Sequence, residues 1–366
     1  MPRYVALCLI VLTACAPRGH LTIDPDAGQV GQIETILVGS SRELNDKDEP
    51  GTARAEGMHY GRFEVSIPPA HEPGKIEWPY SNPDPTKHFL TQSATNLSGV
   101  AGFEAALSRE LRGRPRGDRQ VVLFVHGYNS LFAEGLYRFA QMRTDVGIPD
   151  VAVHYSWPSG GNPFGYVYDR DSMLFARDGL EEMINAVVDA GAEGIVLVGH
   201  SMGSLLIMET IRQMAIRDPK GFDKALDGVI LVSPDVDIDL FKKQAQRIGP
   251  LPQPFVIFSS SRDVLLRLSA SLTGRKDRLG NIEDFEELAE LDVTVVDVSA
   301  FTDAESSHIT AIASPAFLRL IDSMGEIDSS LQGDPSQRIG LLPGTVLVVQ
   351  NATAIILTPL LATGAP

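Results

Sequence analysis

The sequence predicts an α/β protein whose mostly parallel sheet carries helices on both faces. Three observations lead there. Short, wholly apolar runs, of which 121–125 (Val-Val-Leu-Phe-Val) is the most complete, read as strands buried on both sides. These runs alternate with segments of helical period that are ten or more residues long. The chain has 366 residues, 43% hydrophobic and 21% charged, which suits one large domain with extensions and excludes global disorder.

The elements follow in order. Strands are expected at 33–38 and 62–67, with a polar loop over 41–57 between them. Six prolines within 68–85 indicate irregular surface chain, and 103–111 has helical periodicity. From residue 120 the pattern is regular. Strands are expected at 121–125, 151–155, 194–198, 228–232, 254–258 and 291–298. Helices are expected at 131–144, 172–190, 204–216, 238–247, 264–271 and 315–324. After Arg338 the chain carries no charge. Its apolar runs 346–349 and 354–357 read either as a β-rich extension docked on the domain or as a membrane-contacting segment. The Gln350-Asn351 pair between them argues against a spanning helix.

The chain therefore divides into a signal (1–14), a tether (15–31), a domain (32–325) and a C-terminal extension (326–366). Within the domain, 32–118 is an N-terminal strand extension and 119–325 the core. Arg3 followed by an apolar run to Ala14 reads as an export signal, too short to span a bilayer. Leu12-Thr13-Ala14-Cys15 resembles the lipobox of bacterial lipoproteins. That resemblance implies cleavage before Cys15 and acylation of its thiol and amine, and several chains on one residue anchor stably where one does not. Ala16, rather than Asp, implies the outer membrane, facing the periplasm. An ordinary secretory signal that happens to contain Cys is the alternative.

Composition removes other classes. Lys plus Arg total 31 against 47 for Asp plus Glu, a net charge of −16, which disfavours a nucleic-acid partner. Cys8 and Cys15 are the two cysteines, so a disulfide framework and a Cys-rich metal site are excluded. No HExxH, dinucleotide or phosphate-loop pattern occurs, and neither cofactor nor metal is expected.

Gly199-His200-Ser201-Met202-Gly203 matches G-x-S-x-G where an apolar strand turns into a helix. A turn that sharp has no room for side chains two residues before and after the Ser, and Gly199 and Gly203 stand there. Ser201 is the expected nucleophile, perched with its hydroxyl exposed above a helix N-terminus that favours developing negative charge. It needs a base. Of eight histidines, His308 alone follows the last core strand, where the order Ser, acid, His requires it. Asp263, after the strand 254–258, is the preferred acid; Asp235 is the alternative, with Asp237 beside it. Arg262 offers Asp263 a different role in a surface ion pair, and the rivals are placed to cap the next helix. Oxyanion donors are expected from the N–H groups of Met202 and Tyr128. His126-Gly127-Tyr128-Asn129 supplies the second, with Gly127 allowing close approach and Asn129 bracing the loop. The aromatics of 160–168 are expected either to line an acyl pocket or lid or to pack locally.

With these residues, the chain resembles the α/β-hydrolases. Within them it resembles a bacterial family of unknown function labelled esterase/lipase superfamily enzyme. The pieces that carry the resemblance are Val125-His126-Gly127-Tyr128-Asn129, Tyr155-Ser156-Trp157-Pro158-Ser159, the Ser201 pentapeptide, Ser233-Pro234-Asp235-Val236-Asp237, Ser261-Arg262-Asp263 and Val298-Ser299-Ala300. Tyr60-Gly61-Arg62 with Val65-Ser66-Ile67-Pro68 also fits. The resemblance implies a Ser-His-Asp site matched by Ser201, His308 and Asp263. Ser307 stands where many relatives have Gly. The expected function is an envelope-anchored serine hydrolase acting on a small-molecule or lipid ester. A non-catalytic binding protein, or an acyltransferase or amidase with the same triad, is the alternative.

Overall fold

Strand β4 (Gln120–Val125) lies at the centre of the molecule, and its side chains alternate between two cores. Val121, Leu123 and Val125 join one apolar cluster; Val122 and Phe124 join the other. A strand with both faces apolar must be covered on both sides, as this one is. The structure is a computed structural model that describes residues 18–224, 226–272, 274 and 277–299, together with the strand backbone of 345–351 and 354–359.

Strands β5 (Val151–Ser156) and β6 (Gly194–His200) flank β4, both parallel to it. Beyond β6 follow β7 (Leu226–Val232), β8 (Phe255–Ser259) and β9 (Thr294–Asp297), all parallel. Beyond β5 lies β1 (Gln32–Leu44), parallel to it, then β2 (Pro50–Ile67) and β3 (Leu90–Leu97), both antiparallel to their neighbours. At the opposite edge β10 (Thr345–Asn351) runs parallel to β9 and turns back as β11 (Ala354–Pro359).

Helices α1 (Gly99–Arg112), α4 (Arg177–Asp189), α5 (Met202–Arg217) and α6 (Ile238–Ile248) cover one face, burying Leu107, Leu180, Leu206 and Phe241. Helix α2 (Phe132–Val146) covers the other with Leu136 and Phe139. The short helices α3 (Tyr166–Phe175) and α7 (Val264–Leu272) follow the carboxyl ends of β5 and β8. From β4 the chain steps to β5 on one side and returns past β4 to β6 on the other. Open α/β sheets place their sites at such a reversal, here outside the carboxyl ends of β4 and β6. The mostly parallel, doubly covered sheet is the expected one.

Four local expectations are corrected. The span 41–57 is the arm of a long hairpin, not a loop, with Arg42 opposite Arg54. Its turn is drawn tight by Asn45, whose side-chain oxygen accepts the N–H groups of Lys47 (2.8 Å) and Glu49 (3.1 Å). β3 was absent from the expected elements; its polar residues face solvent along an edge, so no apolar run marks it. The helix expected over 172–190 is two, broken at Ala176, whose carbonyl accepts the Tyr155 hydroxyl at 2.7 Å. Finally, 18–31 is docked rather than free. Asp24 N–H donates to Thr91 O and Thr91 N–H to Thr22 O, and Ala27 is fully buried. The signal, the expected helix 315–324, and most of the C-terminal extension lie outside the described residues. No helix among the described residues is long and apolar enough to cross a membrane.

Candidate active site

β6 ends at His200 and α5 begins at Met202, so Ser201 alone makes the turn, with φ 53° and ψ −120°. A non-glycine residue held there costs about 1–3 kcal/mol and needs surroundings that over-determine it. Ser201 N–H donates to Val232 O (2.9 Å), and its carbonyl accepts from Ser204 N (3.0 Å) and Asp235 N (3.2 Å). A Cβ at Gly199 would come within 2.8 Å of Ser204 Cα, and one at Gly203 within 2.4 Å of the carbonyl oxygens of Val125 and His126. Both glycines are therefore required, as the spacing predicts, and Gly203 lets α5 rest on the end of β4. Met202, the first residue of the helix, is buried. One expectation fails: Ser201 is 2% exposed, so its hydroxyl is covered. The loop after β4 lies across it; a Cβ on Gly127 would sit 2.9 Å from Ser201 Cβ and 2.8 Å from His200 Nδ1.

That loop is held from beneath by a buried cation. Arg42, wholly buried near the end of β1, donates from Nε to Ser156 Oγ (2.8 Å) and from Nη1 to the carbonyls of Gly51 (2.9 Å) and Ser159 (3.0 Å). Its Nη2 donates to Ser130 O (2.8 Å) and meets His126 Nε2 at 3.2 Å. Burial lowers its pKa to about 9, and it remains charged at neutral pH. Burial, with Arg42 beside it, pushes the His126 imidazole well below its usual range, so the ring is neutral. Its Nδ1 lies 2.9 Å from Gly127 O and its Nε2 3.0 Å from Trp157 O, so the ring is held between two carbonyls with Arg42 beside Nε2. Trp157 stacks on this ring at 4.8 Å and donates from its indole nitrogen to His126 O (2.7 Å). In a trans peptide the C=O and N–H oppose each other, so fixing Gly127 O also fixes the direction of Tyr128 N–H.

A second clamp holds the same loop from the side. Asp169, fully buried in α3, accepts from Asn129 N (2.9 Å), Ser159 Oγ (2.6 Å) and Gly160 N (2.7 Å). Asn129 has φ 56°, and its side-chain oxygen accepts from Arg18 Nη1 at 2.9 Å, which ties the loop to the N-terminal segment. The Tyr128 hydroxyl donates to Pro163 O (2.6 Å), and its ring packs edge-on against Tyr166 at 5.6 Å. The 160–168 segment therefore packs partly on the site, while Phe164 points into solvent.

The two candidate acids occupy different surroundings. Asp235 follows β7 beside Ser201, but its carboxylate is committed: it accepts from Tyr166 Oη (2.9 Å) and Ser269 Oγ (2.7 Å) and pairs with buried Arg278 at 3.3 Å. Burial, ahead of the Asp235 charge, raises the Tyr166 phenol to about 12, which keeps it a donor. Asp237 caps α6 by accepting Leu240 N–H at 3.1 Å. Asp263 follows β8 in the next strand position, is fully buried, and accepts Leu266 N–H at 3.0 Å through one oxygen. Ser201, Asp235 and Asp263 thus succeed β6, β7 and β8 along one edge, aligned by the pairs His200↔Val232 and Val232↔Phe258. His308 and Cys15 lie outside the described residues.

Arg42, Asp169 and Arg18 were not singled out from sequence. The one available signal was a charged residue directly after a run of small side chains, Gly39-Ser40-Ser41-Arg42.

Comparison with known families decides the lineage. A family described as alpha/beta hydrolase of unknown function (DUF900) matches residues 101–323. The chain belongs to this family. No curated protein sequence matches this α/β-hydrolase. Among solved structures it is similar to a predicted CIB-like hydrolase from Thermoplasma acidophilum (19% identity, 58% of this chain and 89% of that one, TM-score 0.35). It is also similar to an esterase from Pyrococcus furiosus (12% identity, 87% and 98%, TM-score 0.37). A third is Aspergillus fumigatus lipase B (13% identity, 62% and 58%, TM-score 0.38). Arg18 and Arg42 both lie before the family-matched segment.

Proposed function

We propose that this α/β-hydrolase is a serine hydrolase of carboxylic esters, anchored at the cell envelope through acylated Cys15. The observation that carries the reading is Ser201 itself, a serine held at φ 53° between a strand end and a helix N-terminus. Strain of that kind persists where a side chain must be aimed. Ser201 Oγ attacks the ester carbonyl carbon while His308 takes its proton. The oxyanion is received by Met202 N–H, at the α5 terminus, and Tyr128 N–H, whose peptide is oriented by His126. Collapse expels the alcohol, which takes the proton back from His308 and leaves an acyl-serine. Water, deprotonated by His308, attacks the acyl carbon, and collapse releases the acid as Ser201 Oγ takes the proton back from His308. Asp263 holds the imidazole tautomer, since Asp235 is already committed to Tyr166, Ser269 and Arg278.

One observation favours a second reading, a non-catalytic binding protein on the same fold: Ser201 is 2% exposed. Nitrophenyl esters of increasing acyl length separate the two. The hydrolase turns over at least the short esters, and Ser201→Ala falls to the buffer rate. No turnover at any length by a folded wild type refutes the enzyme.

A further inference from the structure

Arg18 makes five side-chain hydrogen bonds near the site, as many polar contacts as Arg42. Nε and Nη2 grip both carboxylate oxygens of Glu134, Nη1 donates to Asn129 Oδ1 (2.9 Å) and Gly161 O (2.7 Å), and Nη2 donates to Asn129 O (2.8 Å). Gly19 N–H adds a bond to Glu134 at 3.1 Å. Glu134 in turn accepts Leu131 N–H at the start of α2. Burial alone would raise the Glu134 pKa, yet these bonds hold it below the usual carboxylate range, so both partners are charged. One residue from the N-terminal segment therefore ties the two loops beside Ser201, those containing Asn129 and Gly161, to a fixed point.

Cys15 is three residues before Arg18. Three residues of chain reach at most about 11 Å, against a radius of gyration of about 20 Å for a domain of this length. A membrane holding Cys15 cannot lie behind the molecule. The surroundings of Arg18 suit such a surface. Phe164, three residues beyond the Arg18 acceptor Gly161, is 89% exposed, and Val167 is 74% exposed. Tyr80, 62% exposed, lines one shallow depression with Arg18 and Trp78. Aromatic and aliphatic side chains of this kind partition into the headgroup boundary. The net charge of −16 offers no attraction to an anionic surface, so the anchor must supply the approach.

We infer that Arg18 locks the lipid anchor to the loops flanking Ser201, so that this face lies on the bilayer and its substrate is an acyl ester drawn from that bilayer. The inference rests on the acylation of Cys15 and on the ester-hydrolase reading.

The test uses the full acylated chain reconstituted in phosphatidylcholine/phosphatidylglycerol vesicles. Cys8 leaves with the signal and Cys15 is blocked, so one introduced cysteine can be labelled with an environment-sensitive NBD dye. NBD at Phe164→Cys shifts to the blue and is quenched by doxyl lipid. NBD at Asp118→Cys, an exposed site at the amino end of β4, does neither. Inserting a flexible Gly/Ser linker of about fifteen residues between Pro17 and Arg18 abolishes the quenching at 164. The same insertion lowers turnover of a bilayer-embedded fluorogenic acyl ester by about tenfold and leaves a soluble short-chain ester within about twofold. Loss of vesicle retention, equal behaviour of the two dye positions, or bilayer-ester turnover indifferent to the linker overturns the inference. The fluorescence needs no catalysis, so an oriented protein that cleaves neither ester refutes the hydrolase reading alone.

Discussion

Replacing Arg42 by Met tests the support beneath the site. The substitution keeps an unbranched apolar stem and removes five polar contacts, to Ser156 Oγ, Gly51 O, Ser159 O, Ser130 O and His126 Nε2. The hydroxyl can rotate to another acceptor. The carbonyls of Ser159 and Ser130 and the imidazole cannot, and each buried acceptor left unpaired costs about 1–3 kcal/mol. Three such acceptors, offset in part by no longer burying a guanidinium, amount to about 3–5 kcal/mol. Urea unfolding at pH 7 reads the stability, and the rate of fluorophosphonate labelling of the folded protein reads the site. Arg42→Met should be about 3–5 kcal/mol less stable and should label more slowly, since Gly127 O loses its fixed partner once His126 is free to turn. Arg42→Lys should fall between, because an ammonium supplies three donors without the planar fork. A loss below about 1 kcal/mol with an unchanged labelling rate would show that Arg42 does not support the loop.

Three further outcomes follow. Gly127→Ala places a Cβ 2.9 Å from Ser201 Cβ, so labelling should slow by roughly 10- to 100-fold with a cooperative fold retained; an unchanged rate would separate this loop from the site. His154 is buried, donates to Phe124 O, and has its pKa lowered by burial to about 3. The unfolded state takes up that proton below about pH 6.5 and the folded state does not, so the stability this group contributes is complete above pH 6.5 and is lost as pH falls toward 3. Between pH 7 and 5 this amounts to about 2 kcal/mol, and His154→Gln should flatten the pH slope of urea unfolding by that amount. Asp263→Asn should cut ester turnover by about a thousandfold with little loss of stability, whereas Asp235→Asn should destabilise by about 2–4 kcal/mol and retain most turnover; the reverse pattern exchanges their roles.

What the sequence made legible was whatever repeats at short range. The apolar run of β4, the alternation of strands with helices, and the glycines around Ser201 each state their structural reason within a few residues. The hairpin arm at 41–57 was hidden because its charges face solvent on one side, while on the other Arg42 enters the core where an apolar residue would be expected. The clamps were hidden for a different reason. Arg42 lies 84 positions from His126, and Arg18 lies 111 positions from Asn129 and 143 from Gly161. Such pairings come from strand order, and no local pattern encodes them. The exposed hydroxyl expected at Ser201 failed on the same ground: a loop from the neighbouring strand β4 packs against Ser201, and that approach comes from strand order.

The most direct measurement is mass mapping of the adduct formed with an alkyl fluorophosphonate. One adduct is expected, on the peptide carrying Ser201, absent from Ser201→Ala and formed far more slowly by His308→Ala. Modification at another residue, or equal labelling of wild type and Ser201→Ala, would contradict it.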